Sequence, residues 1–144
     1  MIMHFLVKFF ATGFGVGYIP KAPGTFATFL ASAMWWYLPK NLFLIVFVIL
    51  FFIAIAVSGK AEKLFGVKDD QRIVIDEFIG YFSAVVLLPK TYFILILSII
   101  LFRFFDVIKP FFVKSVQKVK GSIGILADDI LSGVITNLIL QIWK

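Results

Sequence analysis

Cysteine is absent from this chain, and histidine occurs once, at position 4. The first absence excludes disulfides, thiolate metal ligands and cysteine nucleophiles. The second leaves too little imidazole for a His-rich metal site or a Ser-His-Asp triad. His4, in the opening stretch MIMHFLVKFF, reads as an interfacial side chain on a short amphipathic helix. Charge is scarce too: 15% of 144 residues, where soluble domains carry roughly 25%. Acids are the scarcer sign, 8 Asp and Glu against 14 Lys and Arg, for a net charge of +6.

What the chain has instead is apolar mass: 62% hydrophobic residues, 19 Phe, and a mean hydropathy of +1.06. That is the composition of an integral membrane protein, whose solvent is the bilayer. In this setting the positive charge matches anionic headgroups and the positive-inside bias, not nucleic acid. The Phe-rich stripes read as lipid-facing packing. No cleavable signal peptide is evident, because ATGFGVGYIPKAPGT follows the first short apolar stretch without a small-x-small cleavage signature. The length fits one membrane-embedded domain over residues 1–144.

The pattern predicts an all-α protein with about five transmembrane helices plus an N-terminal interfacial helix over residues 1–10. Residues 12–24, rich in Gly and Pro, form a loop. A first span from Thr25 to Leu38 is short, about 21 Å of helix, and ends in the interfacial aromatics Trp35, Trp36 and Tyr37. The second span runs from Leu42 to Ser58 without a charge, and a polar loop over 59–72 follows. The third runs from Ile73 to Leu88, the fourth from Tyr92 to Ile108, each stopped by a proline. Residues 109–122 lie along the membrane surface, with Lys114, Lys118 and Lys120 meeting anionic headgroups. The fifth span is Ile123 to Trp143.

Spans alternate direction. If residues 1–24 lie on side A, loops 59–72 and 109–122 do as well. Of the 14 cations, only Lys40, Lys90 and Lys144 then fall on side B. The positive-inside rule makes side A cytoplasmic. The acids are more informative, since all 8 fall on side A. Glu62, Asp69 and Asp70 read as solvated loop charges. Asp76 and Glu77 begin span three, Asp106 sits in the last turn of span four, and Asp128 and Asp129 lie in the second turn of span five. Three helix ends thus present carboxylates at one depth.

A carboxylate at the centre of a membrane helix costs about 2.5–3.5 kcal/mol on insertion scales, so such a group marks a site or a paired charge. Hard divalent cations want oxygen ligands, and Mg²⁺ commonly takes one or two carboxylates with water and phosphate. Adjacent residues on a helix point about 100° apart. One member of each pair, Asp76/Glu77 and Asp128/Asp129, is therefore expected to face the ion while the other binds through water or a cation. Arg103, Asp106 and Lys109, at i, i+3 and i+6, share a helix face loosely, in reach of a common phosphate. Lys21 and Thr25 at the start of span one, and Gly121 and Ser122 at the start of span five, add a weaker phosphate signal. The plainer reading makes the acids structural partners of Arg72, Arg103 and Lys109.

The absences narrow the phosphate-handling enzymes. There is no Cys-x5-Arg signature, no pair of histidines, no Asp-x-Asp nucleophile and no CDP-alcohol phosphotransferase run. Four blocks in order, GFGVGYIPKAPGT, IVIDEFIG, FRFFDVIKP and GSIGILADD, resemble the phosphatidylglycerophosphatase A family over nearly the whole chain. The resemblance implies a bacterial inner-membrane, Mg²⁺-dependent phosphatase that converts phosphatidylglycerophosphate to phosphatidylglycerol. By position it assigns one or two Mg²⁺ to Asp76, Glu77, Asp106, Asp128 and Asp129, and the substrate phosphate to Arg103 and Lys109, with Lys21 and Thr25 beside them. The chain departs from the family at Phe112, where a second proline is common, and at Ser122 and Leu126. None of these departures removes a carboxylate. The expected partners are a phospholipid substrate and the membrane, without nucleic acid, and a chain this small can also pair with a second copy. The rival classes are a small cation channel or transporter subunit, whose acids would line a path across the membrane, and a scaffold whose acids only join helices.

Overall fold

The computed structural model describes residues 1–144 except Gln117 and Lys120. Lys120, expected at the headgroups, thus lies outside the described residues. Among those described the chain is all-α, with helices α1 (Ile2–Ala11), α2 (Pro23–Tyr37), α3 (Lys40–Phe65), α4 (Ile75–Val85), α5 (Tyr92–Ile108), α6 (Phe111–Val116) and α7 (Ser122–Gln141). A single 3₁₀ turn, Val16–Tyr18, interrupts the loop after α1.

Local signals place the ends. Pro23 opens α2 from the first turn, where its missing N–H costs nothing. The Thr91 hydroxyl accepts from the Ile94 N–H at 3.2 Å and caps α5. Lys109 closes α5 in the left-handed region, φ +47°, ahead of Pro110. Helix α3 runs seven residues beyond the expected Ser58, because Gly59 to Phe65 contains good helix formers and the stop comes only at Gly66, φ +71°.

The largest departure from the expected spans is α4. It has 11 residues, about 16 Å of helix, where a hydrocarbon core is about 30 Å thick. Backbone torsions turn extended at Val86, before Pro89 is reached. Every residue from Phe78 to Val85 is buried, so α4 is the centre of the bundle. It packs most extensively on α7, then on α2, α3 and α5. Among the described residues, only α3 (26 residues, mean hydropathy 3.1 over its most apolar stretch) and α7 (20 residues, 1.7) are both long and apolar enough to cross a membrane.

Close approach of α4 and α7 depends on small residues. Ser132, Gly133 and Thr136 are buried on α7 and form a small-residue stretch of the kind that lets helices touch backbone to backbone. At its far end Asn137 donates 2.9 Å hydrogen bonds to the carbonyls of Ala84 and Val86. Those are orphan acceptors where α4 ends. The exterior is apolar: Phe93, Ile96, Ile100, Phe104 and Val107 form one exposed stripe on α5, and Ile45, Val48, Ile49 and Phe52 another on α3. Such continuous apolar surface is foreign to soluble monomers and suits lipid chains.

Candidate active site

The first turn of α4 carries Asp76 and Glu77, where the positive end of the helix dipole favours negative charge. Asp129 reaches them from α7. One carboxylate oxygen from each of Asp76, Glu77 and Asp129 lies within 4.8 Å of the others. Asp76 Oδ1, Glu77 Oε2 and Asp129 Oδ2 are buried without a hydrogen-bond partner. Buried polar atoms are almost always paired, so three clustered carboxylates, each with an orphaned oxygen, leave a ligand's place. The donor set is all oxygen and anionic, which fits a hard divalent cation and not a soft one.

The other two expected carboxylates are paired. Arg103 donates to Asp106 on its own helix. Lys109 Nζ donates to Asp128 Oδ2 at 2.6 Å, tying the end of α5 to α7. Asp128 and Asp129 point apart, Asp128 to the Lys109 ammonium and Asp129 into the carboxylate cluster, whereas Asp76 and Glu77 both enter the cluster. The extra methylene of Glu77 lets it reach round the helix.

A cavity of about 320 Å³ opens beside these groups, lined among others by Gly24, Asp76, Glu77, Arg103, Lys109 and Asp128. A Cβ at Gly24 would lie 2.3 Å from Glu77 Oε1 and 3.3 Å from an Arg103 nitrogen, so a side chain there would push these groups from their places. Lys21 and Thr25 are not among the lining residues; the intervening Ala22, Pro23 and Gly24 are. Ala22, Asp69 and Lys109 also line the cavity and all have positive φ, between +47° and +51°. Such strain costs on the order of 1–3 kcal/mol per residue and gathers at functional sites.

One wall was missed by sequence reasoning. Asp69, Asp70 and Gln71 line the cavity, and Asp70 is only 8% exposed, not a solvated loop charge. Arg72 holds it with two side-chain bonds, Nε to Oδ1 at 2.9 Å and Nη2 to Oδ2 at 2.6 Å, plus its backbone N–H. The Arg72 guanidinium in turn lies 4.0 Å over the Phe65 ring. The available signal was the spacing Asp-x-Arg in a turn. Glu62 is likewise engaged, accepting from the Asp69 N–H at 2.9 Å.

The hydrogen bonds from Arg72 hold the Asp70 carboxyl below its ordinary range, against a smaller opposing effect of burial. A depressed folded-state pKa stabilises the protein above the unfolded value, about 3.9, and that contribution is lost as pH falls through the folded one. Wild type is therefore expected to melt higher than Asp70→Asn at pH 6, with the gap closing on acidification below about pH 4. A gap independent of pH would refute the ionic origin.

An apolar helical bundle with three clustered carboxylates, two cations and a cavity at one end defines a class: a bundle of membrane-protein type with a charged site at one end. Comparison with known proteins narrows it. The family model described as phosphatidylglycerophosphatase A matches residues 9–144, and the chain belongs to that family. It is 35% identical over 97% of its length to a Bacteroides thetaiotaomicron protein named "Putative phosphatidylinositol-3-phosphatase", covering 94% of that protein. To phosphatidylglycerophosphatase A of Haemophilus influenzae it is 33% identical, over 95% of this chain and 90% of the relative. The Escherichia coli protein of the same name is 34% identical, over 90% of this chain and 78% of its own. No solved structure matches.

Proposed function

We propose that this chain is a Mg²⁺-dependent lipid phosphatase hydrolysing the phosphomonoester of phosphatidylglycerophosphate, acting as one domain at the cytoplasmic face of a bacterial inner membrane. The observation that carries the reading is the trio of orphaned oxygens beside a cavity that also holds Arg103 and Lys109. In this reading five helices, α2, α3, α4, α5 and α7, are counted as passes. Short α4 is sheathed by its neighbours and has no need to match the bilayer itself.

Asp76, Glu77 and Asp129 would hold the ion, with Asp128 and Asp106 at its margin. Mg²⁺ there supplies an acidified water and a counter-charge for the phosphoryl oxygens. The protein's own work is positioning. Arg103 and Lys109 are held at the cavity by Asp106 and Asp128, and a phosphate entering it offers them a more highly charged partner. Lys21, next to the lining loop, would extend the same positive rim, and Thr25 would add a neutral hydroxyl donor. Acyl chains stay in the bilayer, so the cavity need only open sideways.

Phosphate release from defined lipids tests this. Release from phosphatidylglycerophosphate is expected with Mg²⁺, abolished by EDTA and restored by Mg²⁺, and slower from phosphatidylinositol 3-phosphate. Release that ignores EDTA would remove the ion from the mechanism. Ion flux in liposomes without phosphate release would favour the channel class.

A further inference from the structure

A second cavity, of about 500 Å³, lies at the opposite end of the bundle. Its lining includes Lys40, Lys90 and Lys144, the three cations that charge counting assigns to side B. Apolar walls come from Trp35, Phe43 and Leu44. None of the chain's 8 Asp and Glu side chains lines it. The geometry points to a binding site for an anionic phospholipid of the leaflet opposite the carboxylate end, its phosphate among the lysines and an acyl chain against the walls. The proposal rests on the bundle crossing the membrane and not on the catalytic reading.

Four separate stretches deliver these groups: the end of α2, the start of α3, the segment after α4 and the residue that follows α7 by three positions. Lysines that merely snorkel to an interface spread around a bundle; here every side B cation lines one concavity. Lys90 is fixed in place, its Nζ donating to the Trp36 carbonyl at 3.1 Å and to that of Leu38. That bond closes the C-terminal end of α2. Lys40 and Lys144 are exposed and open to a visitor. Leu87, also in the lining, takes φ +64°, so the backbone is bent out of its ordinary range to shape this wall. A neutral lipid has no use for three ammonium groups, and free phosphate has none for apolar walls that also include Leu87, Leu88 and Pro89. An amphiphilic anion uses both.

Thermal unfolding of the full chain in detergent tests the site. The probes are dioleoylphosphatidylserine, dioleoylphosphatidylcholine and inorganic phosphate. Phosphatidylserine is a diester, so it does not offer the carboxylate end a phosphomonoester. It is expected to raise the melting temperature by several degrees, while phosphatidylcholine and phosphate do not. The double variant Lys40→Gln/Lys144→Gln should melt like wild type without lipid and lose most of the shift. An equal shift with phosphatidylcholine, a match by phosphate alone, or full retention in the double variant would each overturn the proposal. The leaflet is read separately by impermeant labelling of Lys40→Cys in this otherwise cysteine-free chain. Labelling of intact spheroplasts is expected. Labelling only after lysis would overturn the opposite-leaflet assignment and the topology beneath it, and would leave the lipid shift as evidence of binding alone.

Discussion

Asp129→Asn is expected to lose phosphate release by more than about 100-fold, since even groups that support a metal ligand from behind are worth 10–100-fold. The same variant should melt no lower than wild type in the absence of Mg²⁺. The two expectations together separate a ligand from a structural acid. Asp129 Oδ2 is buried without a partner, so the exchange breaks no hydrogen bond at that atom. Carboxylate oxygens within 4.8 Å of one another repel by roughly 3 kcal/mol or more per ionised pair at an effective dielectric of 20. The cluster contains three such pairs, and their sum is comparable with the whole stability of a typical domain, about 5–15 kcal/mol. Removing one charge relieves two of them. A cation placed among the oxygens relieves all three, so added Mg²⁺ should raise the melting temperature of wild type by mass action. The variant should lose most of that rise. If Asp129→Asn instead kept full activity at saturating Mg²⁺, or melted far below wild type without it, the carboxylate would be holding helices and the ligand assignment would fall.

The sequence made part of this legible and hid the rest for physical reasons. Apolar runs and their proline stops located every long helix, because backbone satisfaction in lipid leaves little choice beyond helix. The gathering of Asp76, Glu77, Asp128 and Asp129 at one end of the bundle followed from the same runs. Pairings did not follow. Nothing local to Asp128 says that Lys109, nineteen residues away, will take its charge, leaving Asp129 to face α4. Nor does periodicity reveal that α4 stops at Val85, because Val86, Leu87 and Leu88 are as apolar as the helix before them. Asp70 shows the converse case. A loop acid in a run of charges reads as solvated, yet Arg72 two residues on folds back to bury it. Local spacing carried that signal; what it lacked was the cavity that gives the wall a purpose.

Gly133→Ala is expected to destabilise the bundle by about 1–3 kcal/mol, the usual cost of overpacking, and to slow phosphate release by about 10–100-fold. The sign is the informative part. Alanine is the better helix former by about 1 kcal/mol, so at a loosely packed position this exchange would stabilise α7. Here a Cβ would stand 2.0 Å from the Gly80 carbonyl oxygen and 3.0 Å from Ser83 Cβ, where ordinary contact begins at 3.4 Å. The obstacle is backbone, which no rotamer change can clear, so α7 must move away from α4 by about 1.4 Å, the difference between those two distances. A second contact lies along the same seam, where a Cβ on Gly80 would meet the Asp129 carbonyl at 2.7 Å. The seam therefore sets the distance between Asp129 on α7 and the Asp76/Glu77 pair on α4. A misplacement of about 1 Å in a reacting group can cost 10²-fold, which is why activity should fall further than stability alone explains. Val134→Ala is the control, since Val134 faces outward on the same helix and its truncation should change melting and turnover little. Equal stability of wild type and Gly133→Ala would mean that the two helices can part without cost, and the cluster would then owe its geometry to something other than this contact.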